Sequence, residues 1–484
     1  KGLNLTSDII ERDPDNRTAR LVRALSALKA ADYDRAIGEI DAAAPGPFTA
    51  LVGTLAKAWA AAGKQDAEQA YKELDSFQDR PAFDLFRVLH GALIADYLDD
   101  AARARTGYIA AQDASGGASL RIIQAYGRFL ETQGDTELAR EVYNNYGRLA
   151  PDHPIIANSL ARLKSGLSPA PLVKTPAEGL AEALYGLASA LAQESGIDIS
   201  ILYTQLALYL RPDFDVARTL LADLYERGDR LEDAIATYGR IARTSPLYQN
   251  AQIQIAVDMD RLDRSKEAVA RLRALIRQYP HAVEPLTALG DILRGRKDYA
   301  DAVSEYTKAI ELIGEPDERF WTIYYARGMS YERLKLWPSA ENDLKLALKL
   351  SGDHPLVLNY LGYSWIEQKI HLEEAMAMIR RAVELRPDDG YIVDSLGWAY
   401  FNIGDYENAV IHLEHAVQLQ PDDVTINDHL GDAFWRVGRK IEARFQWQHA
   451  LELEPDEEQE VSIREKLENG LKDADVEMSA DAGS

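Results

Sequence analysis

Two histidines in the C-terminal third of the chain have the side-chain types of a metal site. His412 and His415 are three residues apart, with Glu414 between them. Imidazole nitrogens and carboxylate oxygens are common zinc ligands. The helical motif of zinc proteases, however, places its histidines four residues apart, with a glutamate beside the first of them. The spacing therefore favours a solvated or half-packed helix face, and we predict no metal site here.

Three aspartates, Asp258, Asp260 and Asp263, resemble the start of a calcium-binding loop. The glycine that such a loop needs for its sharp turn is absent. The sequence also has no phosphate-binding glycine loop, no nucleophile elbow and no cysteine, which argues against the chemistry that each of these supports. We therefore predict a protein that is not an enzyme and has no catalytic residue, metal or cofactor.

Aromatic and acidic side chains form a third candidate set, and their chemistry suits partner binding. Rings are enriched in the hot spots of protein interfaces, and carboxylates beside them favour basic or amide groups of a partner. The aspartates of this set, Asp394, Asp428 and Asp432, argue against a groove that binds a partner's carboxylate. Trp398 and Trp435 could instead pack against a neighbouring repeat. The predicted partner-binding residues are Tyr325, Met329, Tyr363, Tyr391, Asp394, Trp398, Phe401, Asp428, Asp432 and Trp435.

These candidates recur because the chain that positions them is repetitive. Residues 396–423 read LGWAYFNIGDYENAVIHLEHAVQLQPDD, and residues 430–457, which lie 34 positions later, read LGDAFWRVGRKIEARFQWQHALELEPDE. A period of 34 with Leu-Gly, an aromatic residue, Ala and a terminal Pro is typical of tandem antiparallel helix pairs. The candidates fall on the first helices, which line the concave face. Earlier repeats offer a less aromatic set there, namely Thr219, Asp223, Glu226, Thr287, Asp291 and Arg294.

The repeat can be followed along most of the chain by the alanine of the second helix. This alanine fills the gap where two helices cross, and the proline that follows ends the second helix. Eight units run from about residue 181 to 457, and four weaker units fit between about 17 and 153. The alanines are Ala234, Ala268, Ala302, Ala340, Ala375, Ala409 and Ala443.

These repeats match the tetratricopeptide repeat pattern, and the resemblance covers most of the chain. It implies an all-α fold, a right-handed superhelical α-solenoid of about twelve helix pairs. We predict an N-terminal half over residues 1–164, a Pro/Gly connector over 165–179 and a C-terminal solenoid over 180–457. A capping helix over 458–472 and a disordered acidic tail over 473–484 follow. The connector could be an ordered loop or a flexible hinge.

Composition limits the partners and the cellular setting. The net charge of −24 makes a nucleic-acid partner unfavourable. No apolar run reaches the roughly 18 residues that span a bilayer, so we predict no transmembrane segment. The chain begins with Lys1, and residues 3–14 resemble the second helix of a repeat. We therefore expect an upstream segment that could hold a signal peptide or a lipid anchor.

Residues 359–451 resemble a group of proteobacterial tetratricopeptide repeat proteins, many of them exported or lipid-anchored. The closest agreement is in YIVDSLGWAY and LGDAFWRVGR. One branch of that group delivers substrates to a carboxy-terminal processing protease in the periplasm. The resemblance implies a non-enzymatic scaffold or adaptor that binds a protein or peptide, in the periplasm and anchored to the outer membrane. A cytoplasmic or membrane-associated assembly factor, and an accessory part of an enzyme whose catalytic domain lies outside this chain, remain alternatives.

Overall fold

The computed structural model describes residues 2–43, 46–78, 80–193 and 196–471. All regular secondary structure in these ranges is helical. The predicted acidic tail over 473–484 lies outside the described residues. The chain divides into two compact units, residues 1–275 and 276–484.

The N-terminal unit contains fifteen complete helices and most of a sixteenth among its described residues. They are α1 (Gly2–Arg12), α2 (Arg17–Lys29), α3 (Tyr33–Asp41), α4 (Pro47–Gly63), α5 (Ala67–Asp75), α6 (Asp84–Tyr97), α7 (Ala101–Ala114), α8 (Leu120–Thr132), α9 (Thr136–Leu149), α10 (Pro154–Lys164), α11 (Pro176–Gln193), α12 (Ile197–Leu210), α13 (Asp215–Arg227), α14 (Leu231–Tyr238), α15 (Tyr248–Arg261) and α16 (Ser265–Gln278).

The C-terminal unit continues the same alternation of first and second helices. Five pairs are followed by one more helix, which begins where the sequence predicts a cap. They are α17 (Glu284–Gly295), α18 (Tyr299–Ile313), α19 (Trp321–Arg333), α20 (Trp337–Ser351), α21 (Pro355–Glu367), α22 (Leu372–Leu385), α23 (Gly390–Asn402), α24 (Tyr406–Leu419), α25 (Val424–Arg436), α26 (Lys440–Glu452) and α27 (Glu457–Asn469).

A short turn with one residue in the left-handed conformation joins the two helices of many pairs. Before α24, Gly404 has a φ of 84°, a left-handed conformation that glycine adopts without steric cost. The next residue, Asp405, caps α24 by accepting a hydrogen bond from the backbone N–H of Asn408. Such a cap satisfies one of the free N–H groups of the first helical turn. The turn therefore reverses the chain within a few residues and keeps the pair antiparallel.

The two helices of a pair approach closely at the repeated small residues. A Cβ atom added to Gly397 on α23 would lie 2.6 Å from Leu413 Cγ on α24. Ala409, on the second helix of the same pair, is completely buried. All seven alanines that mark the repeat are equally buried, which confirms that they lie inside the helix packing.

Replacing Ala409 by Leu should lower the free energy of unfolding by about 1–3 kcal/mol, because extra methyl groups overpack a site without free space. Urea unfolding followed by circular dichroism measures the change. Ala377 on α22 is exposed, so Ala377→Leu is the matched control and should change the stability little. Equal effects of the two substitutions would contradict the packing described here.

The predicted connector over 165–179 packs within the N-terminal unit. Leu172 and Val173 are buried in its hydrophobic core. Arg211 donates a hydrogen bond of 3.2 Å from Nη1 to the carbonyl oxygen of Leu172. These contacts favour the ordered loop over the flexible hinge. The connector therefore does not separate the two compact units, whose division lies after Leu275.

Candidate functional site

The predicted partner-binding residues lie on α19, α21, α23 and α25, the first helices of the last four pairs. Tyr391 is the most exposed of the rings, with 56% of its surface accessible. Asp394 and Asp432 are buried. The half-buried members are Tyr325, Met329, Tyr363, Trp398, Phe401, Asp428 and Trp435.

An open cavity of about 550 Å³ lies beside Tyr363, between α19, the start of α20 and α21. Its lining combines aromatic rings with charges of both signs. Rings provide contact area at a low cost in conformational entropy, and mixed charges can orient a polar partner. The residues that line it are Glu332, Arg333, Lys335, Trp337, Tyr360, Tyr363, Ser364, Glu367 and Gln368.

Trp398 extends this aromatic surface from α21 to α23. Its indole Nε1 donates a hydrogen bond of 2.8 Å to Glu367 Oε1. Its ring stacks on Phe401 at a centroid distance of 4.7 Å and on His429 of α25 at 3.8 Å. Burial and the carboxylate of Glu367 both raise the pKa of Tyr363, so its hydroxyl stays protonated at neutral pH. Trp398 thus packs against the next repeat, and its indole N–H bonds to a residue that lines the cavity, Glu367.

Tyr325 contributes mainly to packing at the other end of this surface. Its ring meets Tyr360 edge-on at 5.8 Å and Trp321 at 6.1 Å. Burial raises the pKa of Tyr325 to about 12. The hydroxyl of Tyr360 donates a hydrogen bond of 3.1 Å to Glu332. These contacts hold the rings in fixed orientations before any partner arrives.

Asp394 does not face the solvent as an unpaired carboxylate. Its two oxygens lie 3.0 and 3.1 Å from Nδ1 of His429, and both side chains are buried. Burial lowers the pKa of His429, but the carboxylates of Asp394, Asp432 and Asp428 together raise it by more, so the net shift is upward. The pair therefore stabilises the contact between α23 and α25, and the expectation that Asp394 offers a charge to a partner needs correction.

Asp428 and Asp432 are also paired within the chain. Lys466 of α27 places its Nζ 2.7 Å from Asp428 Oδ2 and 2.9 Å from Asp432 Oδ2. The indole Nε1 of Trp447 donates a hydrogen bond of 2.9 Å to Asp432 Oδ1. These two carboxylates therefore bind the C-terminal helix, which the repeat pattern alone did not predict.

Trp435 is covered by the same helix. Trp435, Leu467 and Leu471 pack against the same hydrophobic cluster, and the ring of Trp435 lies 5.4 Å from that of Trp447. A Cβ atom added to Gly470 would overlap the indole of Trp435. The alternative in which Trp435 packs against its neighbours thus agrees with the structure, because α27 occupies the face of α25 that the sequence assigns to a partner.

The residues considered for metal binding have other contacts. His412 stacks on Tyr400 at 5.3 Å, His415 is exposed, and Glu414 pairs with Arg439 at 2.9 Å. Asp258 is buried. Within the described part of the chain, no group of three or more His, Asp or Glu side chains is placed to hold a metal ion.

The raised pKa of His429 should make stability depend on pH. Its contribution is complete below the unfolded-state pKa of about 6.5 and is lost as the pH rises through the higher folded-state pKa. We therefore expect wild type to lose stability relative to His429→Gln between pH 6 and 8.5. Urea unfolding at several pH values measures this. Asp432 titrates in both proteins and so affects both curves of unfolding free energy against pH. If the two curves are parallel, the pH dependence does not come from His429.

Comparisons with known proteins agree with the helix pairs. Models of the tetratricopeptide repeat match residues 5–50, 255–315 and 394–423. Together with the all-helical structure of the described residues, these matches decide the architecture. The fold is an all-α tetratricopeptide repeat solenoid. Solenoids of this kind are generally non-catalytic scaffolds that bind proteins or peptides.

Two curated proteins resemble short stretches of this tetratricopeptide repeat solenoid. A TPR repeat-containing protein of Pseudomonas aeruginosa is 32% identical over 87 residues, which cover 18% of this chain and 15% of that protein. A BBSome complex member of Bos taurus is 30% identical over 111 residues, 23% of this chain and 20% of that protein. The matches thus span a fifth or less of the curated relatives' own lengths.

Two solved structures are similar to this chain at low sequence identity. The crystal structure of the APC/C hetero-tetramer Cut9-Hcn1 covers 94% of this chain and 97% of its own, at 14% identity and a TM-score of 0.45. A tetratricopeptide repeat protein from Parabacteroides merdae covers 60% and 97%, at 14% identity and a TM-score of 0.38. Among the helices described in this solenoid, none is long and apolar enough to cross a membrane.

Sequence reasoning missed several residues that build this site. Trp337 opens a second helix, and Tyr360 lies on a first helix but is not among the predicted partner-binding residues. His429 and Lys466 were also not predicted, although each pairs with a predicted aspartate. The spacing of Tyr360 and Tyr363, one turn apart on α21, was a usable signal for a double ring at the cavity.

Proposed function

We propose that this solenoid is a protein-binding scaffold whose C-terminal unit binds a partner segment along α19, α21 and α23. The supporting observation is the cavity beside Tyr363, with exposed Tyr391 and the Trp398–Phe401 stack on the next first helix. The corresponding face of α25 is covered by α27, so the proposed surface ends at α23. A partner that fits is a polypeptide segment with apolar anchors and polar groups between them.

The finer proposal is that the partner system is a carboxy-terminal processing protease and its substrates in the periplasm. Its support is the resemblance of residues 359–451 to exported repeat proteins of that role. An adaptor needs a surface that stays rigid while a client segment docks, and ring contacts fixed by hydrogen bonds supply one. Cell fractionation of the full-length tagged protein tests the periplasmic and outer-membrane placement.

Replacing Tyr391 by Ala should weaken binding of the partner by at least about 1 kcal/mol if this ring is a hot spot. The ring is exposed, so the substitution should leave unfolding unchanged. Phe445→Ala is the matched control, because Phe445 is 68% exposed on the second helix α26. Titration of the carboxy-terminal processing protease from the same cells, with and without a client protein, measures both variants.

Two different results distinguish the proposal of a protein-binding scaffold from the finer proposal of a protease adaptor. Acceleration of client cleavage that is lost in Tyr391→Ala and kept in Phe445→Ala supports the adaptor. A photo-crosslinking amino acid at Tyr391 that captures another protein, without any effect on the protease, keeps the scaffold and rejects the adaptor. If neither crosslinking at Tyr391 nor any effect of Tyr391→Ala is observed, the proposed surface is wrong.

A further inference from the structure

The N-terminal unit contains a second open cavity, of about 450 Å³, on the side of its first helices α11, α13 and α15. Its walls are largely apolar. Three of the less aromatic groove residues, Thr219, Asp223 and Glu226, lie along one side. The apolar wall is formed by Leu120, Ile155, Tyr185, Val216, Leu220 and Leu247.

The acidic end of this cavity is built from two facing carboxyl groups. Glu226 of α13 lines the cavity, and Asp258 of α15 lies behind it with 1% of its surface accessible. Their side chains are within hydrogen-bonding range of each other. Because a carboxylate has no proton to donate, the two can bond only while one of them is protonated.

Neither carboxyl group is fully satisfied by the protein. Glu226 Oε1 and Asp258 Oδ2 are buried and have no donor in the described structure. The hydroxyl of Tyr238 bonds to Glu226, and Arg261 Nη1 lies 3.8 Å from Asp258 Oδ1. Unsatisfied buried acceptors are rare in native proteins, and each requires an explanation.

The charge of the cavity is also one-sided. Asp223 adds a third carboxylate at its edge, where exposed Arg227 pairs with it at 3.0 Å. None of the residues that line the cavity is a lysine or an arginine. In the C-terminal unit another pair of acids, Asp428 and Asp432, has Lys466 between them. The N-terminal unit has a similar acidic end with an open approach and no such lysine among its lining residues.

We propose that this cavity binds a lysine side chain carried by a segment of a partner protein. The aliphatic stem would lie along the apolar wall and the ammonium group would reach Glu226 and the edge of Asp223. An ammonium group supplies three donors, which can bond to the carboxyl groups of Glu226 and Asp223 in the lining of the cavity. The apolar wall would bury the aliphatic stem, and the acidic end would pair with the ammonium group.

The mouth of the cavity favours a polypeptide over a free amine. Asn250 and Gln254 lie one turn apart on α15, line the cavity and are exposed. Side-chain amides offer both donors and acceptors, so they can bond to the N–H and C=O groups of a peptide backbone. A small amine would leave these amides without a role.

The test uses the full chain and two blocked amino acids as probes, Nα-acetyl-lysine methylamide and Nα-acetyl-norleucine methylamide. Ligand-observed NMR titration gives the dissociation constants. We expect the lysine probe to bind about tenfold or more tightly than norleucine, and Glu226→Gln to remove about that advantage. Glu232→Gln, at an exposed position of α14, is the matched control and should bind the lysine probe like wild type.

A pH series gives an independent readout. Burial is the main cause that raises the pKa of Asp258, and the charge of Glu226 is the second; Arg261 lowers it, and the resulting pKa is about 7. Asp223 and Tyr238 also face this carboxyl pair. A cation prefers the fully ionised pair, so its binding should release a proton and strengthen as the pH rises from 6 to 8. Binding of the norleucine probe to wild type should not vary with pH. Binding of the lysine probe to Asp258→Asn should not vary with pH either.

The proposal is overturned if norleucine binds as tightly as lysine, or if Glu226→Gln leaves lysine binding unchanged. It is also overturned if n-butylammonium binds more tightly than the lysine amide, because the site would then select a small amine. Circular dichroism of each variant confirms folding first, and Asp258→Asn supplies a second variant if Glu226→Gln does not fold. These results do not depend on the surface around Tyr363, so the two proposals can fail separately.

Discussion

Replacing Lys466 by Met is expected to destabilise the C-terminal unit by about 3 kcal/mol, because removing one partner of a buried ion pair leaves the other charge uncompensated. Lys466 lies between Asp428 and Asp432 with 16% of its side chain accessible. Its loss should release α27 first, since this helix contacts the rest of the unit through few other polar groups. Urea unfolding at pH 8 measures the change, and hydrogen exchange locates it.

The loss should be smaller at pH 5 than at pH 8. Burial raises the pKa of Asp432 to about 6, although Lys466 lowers it. Without Lys466 that pKa rises further, so at pH 5 the carboxyl group is protonated and its unpaired charge disappears. Lys349→Met, at an exposed position of α20, should be neutral at both pH values. An equal loss at pH 5 and pH 8 would contradict the role of these charges.

Replacing Trp447 by Ala is expected to cost about 3–5 kcal/mol, because it removes a large, fully buried ring and leaves a cavity. Trp447 is completely buried. A Cβ atom added to Gly431 would lie 2.5 Å from its indole, so the helix backbone itself packs on the ring. Urea unfolding measures the loss. Hydrogen exchange should localise it to α25, α26 and α27, since each repeat contacts mainly its neighbours.

Two further substitutions separate the ring from its hydrogen bond. Trp447→Phe keeps most of the packing but leaves Asp432 Oδ1 without its donor, so its cost should be smaller than that of Trp447→Ala. Trp398→Ala removes a half-buried ring and should cost less than Trp447→Ala. If Trp398→Ala proved the more destabilising of the two, Trp398 would be a packing residue first and a poor probe of partner binding.

Sequence alone determined the helix pairs and their spacing. The fold follows from local rules that repeat every 34 residues: a small residue where helices cross, a turn that reverses the chain and a cap that starts the second helix. Ala409, Gly397 and Asp405 show each of these rules in the structure. Periodic signals of this kind average over many copies, so single exceptions did not mislead the prediction of an all-α tetratricopeptide repeat solenoid.

Only the tertiary structure decided which groove residues are available to a partner. The repeat pattern assigns a side chain to the concave face, but it does not say what else covers that face. Lys466 lies one repeat period, 34 residues, beyond Asp432 and pairs with two of the predicted aspartates. The period places α27 beside α25, but which side chains of neighbouring helices pair and become buried depends on their packing, which the pattern within one repeat does not contain.

The same limit applied to the acids of the N-terminal unit. Sequence placed Glu226 on a first helix and Asp258 at the end of another, 32 residues apart, without a reason to connect them. Packing brings both carboxyl groups to one end of an apolar cavity, where burial raises the pKa of each. Sequence thus determined the architecture through local, repeated interactions, and the tertiary structure determined the charges and openings through contacts between repeats.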